Sequence, residues 1–167
     1  MHVAVATATA NILFTSVASM RENHRHRAIL WPVVAALATG NMVGSLVGQI
    51  AKLKGCRAVG IAGGPEKCRY VVEDLGFDAC VDHKGGALHH DLRTACPDGV
   101  DVHFENVGGV VLDTMLAQMN RFSRIVICGP IAEYEAAAPY AYTRLRSVLV
   151  NRIRMQGMIV FDWKDRY

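Results

Sequence analysis

The sequence predicts an α/β protein built on a doubly wound parallel sheet of about six strands. Short apolar runs alternate with stretches of helical periodicity along most of the chain, a pattern typical of a parallel sheet covered by helices on both faces. Of the 167 residues, 51% are hydrophobic and 20% charged, which suits one domain with a core of its own. We expect residues 1–32 to be a leader of unclear structure and residues 33–167 to form a Rossmann-like dinucleotide-binding domain.

The predicted elements follow one another in strict alternation. The helix over residues 66–75 is typical: Cys68, Val71, Val72 and Leu75 share one face, and Gly76 follows where a helix would end. The other predicted helices are a segment from the Gly40–Gly44 turn through Lys54, then 86–95, 110–119 and 145–153. The predicted strands are residues 33–38, 57–62, 78–81, 100–104, 124–128 and 157–161.

A charge-free stretch from Ala28 to Ala51 admits a second interpretation. It is long enough to span a bilayer, and Gly40, Gly44 and Gly48 have the spacing of helices that pack closely in membranes. However, polar residues and a proline interrupt this apolar stretch, and the sequence after it has the amphipathic pattern of a water-soluble protein. We therefore favour a strand, a glycine-rich turn and a helix, and keep a membrane helix as the alternative.

Charge and cysteine content narrow the class of protein. The net charge of +3 is too small for a nucleic-acid-binding stripe. Five cysteines are an odd number without a CxxC pair, so we expect reduced core thiols and a cytoplasmic protein. For residues 1–30 we favour a leader that carries no targeting signal over an organellar transit peptide. Adjacent His89 and His90 point to different sides of a helix, so no metal site is predicted.

Glycine-rich turns follow several predicted strands, at the sheet edge where doubly wound folds bind ligands. The turn Gly40–Gly44 opens a helix whose N-terminal N–H groups could receive a pyrophosphate. The turn Gly63-Gly64 lacks the acid that would hold the ribose hydroxyls of NAD. Lys67 and Arg69 follow it, and a cation there compensates the extra phosphate of NADP. The sequence therefore predicts NADP as the cofactor and not NAD. The alternative is that Lys67 and Arg69 only belong to the solvent-exposed face of a helix.

Two further turns supply polar groups at the same edge. Asn106, ahead of Gly108-Gly109, could hydrogen-bond the nicotinamide ribose. The turn beginning Cys128-Gly129 offers another close backbone approach, and Tyr134 is the candidate catalytic phenol. The alternative is that the residues of both segments serve only to form turns and bind no ligand.

Four segments together resemble one family: residues 43–52, Gly63 to Cys68, Glu105 to Gly109, and Arg154 to Val160. This combination is similar to the zinc-independent NADP-dependent reductases of the medium-chain dehydrogenase/reductase superfamily, the alkenal, prostaglandin and curcumin reductase group. The likeness begins near Val43 and runs to Tyr167. It implies hydride transfer from NADPH to the β-carbon of an enone or alkenal, with protonation of the enolate and without a metal.

The resemblance also assigns cofactor-binding roles to individual residues. Lys67 matches the lysine that meets the 2′-phosphate, and His83 stands where the family has a tyrosine. Asn106 matches the family asparagine, and the loop from Cys128 to Tyr134 matches the loop after the fifth strand. Residues that the resemblance places at the cofactor are Gly40, Val43, Gly44, Gly63, Lys67, His83, Asn106, Cys128, Gly129, Ile131, Met158, Ile159 and Val160.

The sequence departs from this family in two respects. Its phosphate turn has one residue more than the family's Gly-x-x-Gly, because three residues separate Gly40 from Gly44. Residues 1–42 do not resemble the family's substrate domain, and we expect the segment that would complete that domain to be missing after Tyr167. We expect a truncated form that binds NADPH weakly and turns over little. An exposed last strand could also pair with a second copy and form a homodimer.

Overall fold

A computed structural model describes residues 42–134 and 136–159 of the chain, and Asn41–Met158 form one compact unit. The predicted leader, the predicted strand over residues 33–38, Gly40 and Val160 lie outside the described residues. Most of the charge-free stretch that suggested a membrane helix lies outside them as well. In the part of the chain that is described, no helix is long and apolar enough to cross a membrane.

Helices and strands alternate through the described residues, as the sequence predicts. The helices are α1 (Met42–Leu53), α2 (Pro65–Glu73), α3 (Leu88–Ala95), α4 (Gly109–Leu116) and α5 (Arg146–Asn151), with a 3-10 turn at Ile131–Glu133. The strands are β1 (Val59–Ala62), β2 (Ala79–Asp82), β3 (Val100–Glu105), β4 (Met119–Ile127) and β5 (Arg154–Gly157).

The five strands form two parallel sheets. β1 pairs with β2, from Val59 opposite Ala79 to Ala62 opposite Asp82. The second sheet has the order β3-β4-β5, and α1 packs against both β1 and β3. Every pairing is parallel, which confirms the predicted α/β class and requires each strand to be followed by a crossover connection.

One cluster of buried apolar side chains connects the two sheets. Leu92 of α3 and Leu116 of α4 are fully buried, and Val81 of β2 and Ile125 of β4 belong to the same cluster. Among the residues that directly follow the strands, Gly63, His83 and Cys128 are half-buried and Asn106 is buried.

The boundary between α4 and β4 differs from the prediction. The sequence predicts a helix to Met119 and a strand from Arg124, but α4 ends at Leu116 and β4 begins at Met119. Met119 lies opposite Val100, and the register shifts before Arg124 pairs with Val102. The irregularity includes Phe122, whose φ is 61°, so this part of β4 lacks the regular apolar pattern that sequence periodicity detects.

The predicted last strand, residues 157–161, is wrong in position. The strand is Arg154–Gly157 and the preceding helix ends at Asn151, because Arg152 takes a left-handed conformation with φ 51° and turns the chain. Gly157 pairs with Ile127, the last residue of β4. The apolar run that begins at Met158 therefore lies beyond the strand with which it was expected to pair.

The cysteines were expected to be core thiols, and this is only partly correct. All five are free, but Cys96 alone is buried. Cys56 is exposed at the end of α1, and Cys68, Cys80 and Cys128 are half-buried. Burial and the neighbouring thiol of Cys68 raise the pKa of Cys80, so Cys80 stays protonated at neutral pH.

Candidate nucleotide-binding site

The candidate site consists of the turns that follow β1, β2, β3 and β4. In a parallel sheet the carboxyl ends of neighbouring strands meet at one edge, which is where doubly wound folds bind ligands. The predicted residues Gly63, His83, Asn106 and Cys128 directly follow these four strands.

A buried carboxylate organises the turn after β3. Glu105, the last residue of the strand, is 1% exposed. Its Oε1 accepts hydrogen bonds from the backbone N–H groups of Val107 and Gly108, the second at 2.9 Å. Its Oε2 lies 3.0 Å from Nε2 of the buried His103. One side chain therefore connects the strand to the turn that follows it.

This arrangement keeps Glu105 ionised. Burial on its own would raise the pKa of the carboxyl, but the hydrogen bond and charge of His103, with the N–H groups of Gly108 and Val107, outweigh burial and lower the pKa. The turn is thus held by a charged acceptor, and such hydrogen bonds are the stronger kind.

The turns after β3 and β4 are hydrogen-bonded to each other. The backbone oxygen of Glu105 accepts from the N–H groups of Cys128 and Gly129, at 2.9 and 3.4 Å. The oxygen of Asn106 accepts from Ile131 at 3.4 Å. The two turns therefore form one backbone framework that carries Asn106, Cys128, Gly129 and Ile131.

A second carboxylate occupies the N-terminus of α4. Oε1 of Glu133 accepts from the N–H of Gly109 at 3.0 Å and from the hydroxyl of Tyr142. Burial and the bond to Glu133 raise the pKa of Tyr142 to about 12, so its hydroxyl remains a donor. With Glu105 on Gly108 and Glu133 on Gly109, the first N–H groups of α4 already bind carboxylates of the chain itself. This glycine pair therefore does not offer free donors to a phosphate.

The turn after β1 is bordered by basic side chains. A Cβ built on Gly63 would lie 2.9 Å from Nε2 of His83 and 3.0 Å from Cε of Lys84, so both side chains lie against this glycine. Lys67 is exposed on the first turn of α2. The carboxylate of Asp82 accepts from the N–H groups of Gly64 and Lys84, at 2.8 and 2.9 Å, and these bonds lower its pKa.

Two further pairs of predicted residues lie together. A Cβ on Gly44 of α1 would be 3.4 Å from Nδ2 of Asn106, so the asparagine amide lies against the first turns of α1. A Cβ on Gly129 would be 2.8 Å from the hydroxyl of Tyr134. Tyr134 is otherwise 68% exposed, which leaves its hydroxyl accessible beside a buried glycine.

The predicted residues near the end of the chain are placed differently from expectation. Met158 and Ile159 follow β5 and do not belong to it. The N–H of Met158 donates to the oxygen of Ile127 at 2.9 Å, so Met158 still lies at the carboxyl end of β4. Ile159 is exposed. In the described part of the chain, these two residues therefore do not form the strand that was predicted over residues 157–161.

Sequence reasoning missed the acidic residues that hold these turns. Glu105, Glu133 and Asp82 bind backbone N–H groups of the turns, yet none was singled out for a role. Glu105 carries a recognisable signal, since a carboxylate that ends a buried strand must find partners. Glu133 bonds Gly109 across 24 residues, a separation that leaves no local pattern.

Comparison with known proteins identifies the family. The family model for zinc-binding dehydrogenases matches residues 43–167. The chain belongs to the zinc-binding dehydrogenase family. In residues 42–134 and 136–159 of this member, no group of three or more His, Cys, Asp or Glu side chains is placed to hold a metal ion.

Two of the proteins that this chain resembles are named reductases. The chain is 50% identical over 133 residues to an NADPH-dependent curcumin reductase of Escherichia coli (strain K12), covering 77% of this chain and 38% of that protein. It is 46% identical over 129 residues to prostaglandin reductase 1 of Rattus norvegicus, covering 76% and 39%. These similarities confirm the resemblance inferred from the motifs. The chain spans about two fifths of the length of these relatives.

Solved structures agree with this assignment. The crystal structure of CurA in complex with NADPH from Vibrio vulnificus is similar with a TM-score of 0.71 and 47% identity, over 76% of this chain and 40% of that chain. A quinone oxidoreductase from Thermus thermophilus shares the fold, with a TM-score of 0.56 at 20% identity, over 74% of this chain and 37% of its own.

Proposed function

We propose that this chain is the NADP(H)-binding part of an oxidoreductase that reduces the C=C bond of α,β-unsaturated carbonyl compounds such as enones and alkenals. The observation that carries the proposal is the 50% identity to an NADPH-dependent curcumin reductase over 133 residues. Residues 33–167 would form the cofactor-binding domain. The free cysteines support the cytoplasm as its compartment.

The described residues fit this cofactor. Lys67, exposed on the first turn of α2, would neutralise a 2′-phosphate, and His83 beside Gly63 would hydrogen-bond it. NAD has no phosphate there and would gain nothing from these two side chains. The amide of Asn106 would bind the nicotinamide ribose, and Gly44 and Gly129 allow backbone to approach closely. When bound, NADPH supplies a hydride to the β-carbon of the substrate. Tyr134 would donate its phenolic proton to the developing enolate oxygen.

A second candidate function is binding without turnover, as part of an assembly. β5 ends the order of its sheet, and the neighbouring α5 exposes 78% of Leu149 and 51% of Val150. Within residues 42–134 and 136–159, β5 pairs with a strand on one side only, and a strand edge of this kind beside exposed apolar residues favours pairing with a second copy. The N–H of Met158 donates to Ile127 of β4, so the N–H of the adjacent Gly157 points away from β4. Gly157→Pro would remove this edge N–H, so a dimer seen by sedimentation should dissociate in this variant. A wild-type monomer at high concentration would contradict the homodimer.

Titration of the chain with NADPH and with NADH tests the cofactor. We expect saturable nicotinamide fluorescence that prefers NADPH, together with a rise in melting temperature, because a ligand bound only to the folded state stabilises it. Lys67→Ala should weaken NADPH binding about tenfold and leave NADH unchanged, since one cation–phosphate contact is worth about 1.5 kcal/mol. Lys54→Ala, an exposed lysine after α1, is the matched control. Equal affinity for both nucleotides would refute the assignment.

The reaction needs a separate assay. NADPH oxidation is followed with a simple enone present and absent, for the wild type and Tyr134→Phe. Enone-dependent turnover that falls in Tyr134→Phe while NADPH affinity is retained supports the proposed reaction and the proton donor. NADPH binding without turnover would support the second candidate function instead.

A further inference from the structure

We propose that Glu105 is a positioning residue: its buried carboxylate connects His103 to the N–H groups of Val107 and Gly108 and so fixes the orientation in which Asn106 meets the nicotinamide ribose. The proposal rests on the proposed function, since it deepens the role of Asn106. It concerns a residue that acts on the cofactor only through its neighbour.

The position of Asn106 within the turn supports this role. Asn106 stands between the residue that supplies the carboxylate and the first residue that donates to it, so the loop around it is closed on both sides. Its backbone oxygen accepts from Ile131. Among the described residues, its side-chain amide has no hydrogen-bond partner. Asn106 is a buried residue whose amide lies against Gly44 of α1, so the orientation of the amide depends on the position of its backbone.

The two oxygens of Glu105 have different tasks. Oε1 receives both N–H groups of the loop, whereas Oε2 faces His103 at 3.0 Å. His103 and Glu105 are two residues apart and thus point to the same face of β3. Since strand β3 is paired with β4 on one side, the carboxylate transmits the rigid position of the strand to a loop that contains two glycines. Burial makes any other orientation of an ionised carboxylate unfavourable.

Asp113 provides a matched control. It is also a buried carboxylate that accepts two backbone N–H groups, those of Thr143 and Arg144 at 2.9 Å each, and it lies on the helix that follows the same loop. Replacing Asp113 should destabilise the fold in a similar way without moving Asn106. Glu105→Gln preserves size and one oxygen acceptor, and Asp113→Asn does the same at the control position.

The experiment measures NADPH affinity and loop order in the full chain. For Glu105→Gln we expect NADPH binding about tenfold weaker, as the loss of charge-assisted bonds implies, together with faster hydrogen exchange at the amides of Val107 and Gly108 and a shifted Asn106 side-chain signal. Asp113→Asn should lose stability and retain NADPH affinity. The proposal is overturned if Glu105→Gln binds as the wild type does, or if both variants lose affinity in proportion to stability.

The exchange measurement also separates this proposal from the proposed function. If the wild type binds no NADPH, the proposed function fails, yet the two loop amides and the Asn106 signal still report on positioning. Unchanged exchange and an unshifted Asn106 signal in Glu105→Gln would then overturn the role of Glu105. Altered signals would support it as a property of the fold.

Discussion

At the scale of single residues, close packing determines which substitutions the chain tolerates, and Gly48 is the clearest example. A Cβ on Gly48 of α1 would lie 1.8 Å from Cζ of the buried Phe77. In an open helix the change from Gly to Ala stabilises by about 1 kcal/mol. Here the ring would have to move out of the core, so the sign should reverse.

We therefore expect Gly48→Ala to lower the free energy of unfolding by about 1–3 kcal/mol, the usual cost of overpacking. Urea denaturation measures it. Gly157→Ala is the control, because nothing lies within 4 Å of a Cβ there, and its effect should stay within about 0.5 kcal/mol. Equal effects at the two glycines would show that Phe77 does not pack on α1.

At the scale of elements, long-range polar bonds place the segment that leads into α5. Asp113 on α4 accepts from the N–H groups of Thr143 and Arg144, and from Oγ1 of Thr143 at 2.6 Å. Burial would raise the pKa of Asp113, but these bonds outweigh it and lower the pKa. The connection to α5 and β5 is therefore held by one carboxylate.

Asp113→Ala should cost about 1.5–3 kcal/mol, because it removes the buried carboxylate that accepts the N–H groups of Thr143 and Arg144. Hydrogen exchange should accelerate in α5 more than in α2 or β2, which do not depend on this contact. Asp98→Ala, at an exposed aspartate in a turn, should leave both stability and exchange unchanged. Uniform acceleration over the whole chain would contradict a local anchor.

The elements also show what sequence patterns can predict. β1, β2 and β3 lie within two residues of their predicted bounds. β1 and β2 are short apolar runs ended by glycine or a charged residue, and β3 alternates apolar with polar residues. β5 was misplaced, since its residues are mostly exposed and the apolar run lies after it. In the candidate site, patterns located the glycine turns at the strand ends. They did not reveal Glu105, Glu133 or Asp113, whose roles arise from contacts that only the fold creates.

At the scale of the whole molecule, four carboxylates predict how stability depends on pH. The Lys52 ammonium and the Ala58 N–H lower the pKa of Asp78, and backbone N–H groups lower that of Asp82. Glu105 and Asp113 also have lowered pKa values. A carboxyl whose pKa is lower in the folded state contributes stability above its unfolded pKa, and this contribution disappears as pH falls through the folded pKa.

The free energy of unfolding should therefore stay nearly constant between pH 7 and pH 5. It should then decrease steadily as the pH falls below the ordinary pKa values of 4.5 for Glu and 3.8 for Asp. Urea midpoints over this range measure the fall. Asp78→Asn, which loses the ion pair with Lys52, should show a shallower fall in acid. A profile that is flat down to pH 3 would mean that these carboxylates are not bonded as described.

The most direct test of the account asks where NADPH binds on the molecule. A cavity of about 480 Å³ lies at the amino-terminal ends of β3 and β4, at the other edge of the sheet from the candidate site, and its lining includes Gly99 and Asn120. This cavity serves as the internal reference for a position that NADPH should not occupy. Amide signals of an isotope-labelled chain are followed during titration with NADPH. We predict that Gly44, Gly63, Asn106 and Gly129 shift together while Gly99 and Asn120 stay in place. Shifts confined to the Gly99 and Asn120 cavity, or no shifts in a folded chain, would contradict the proposed cofactor site.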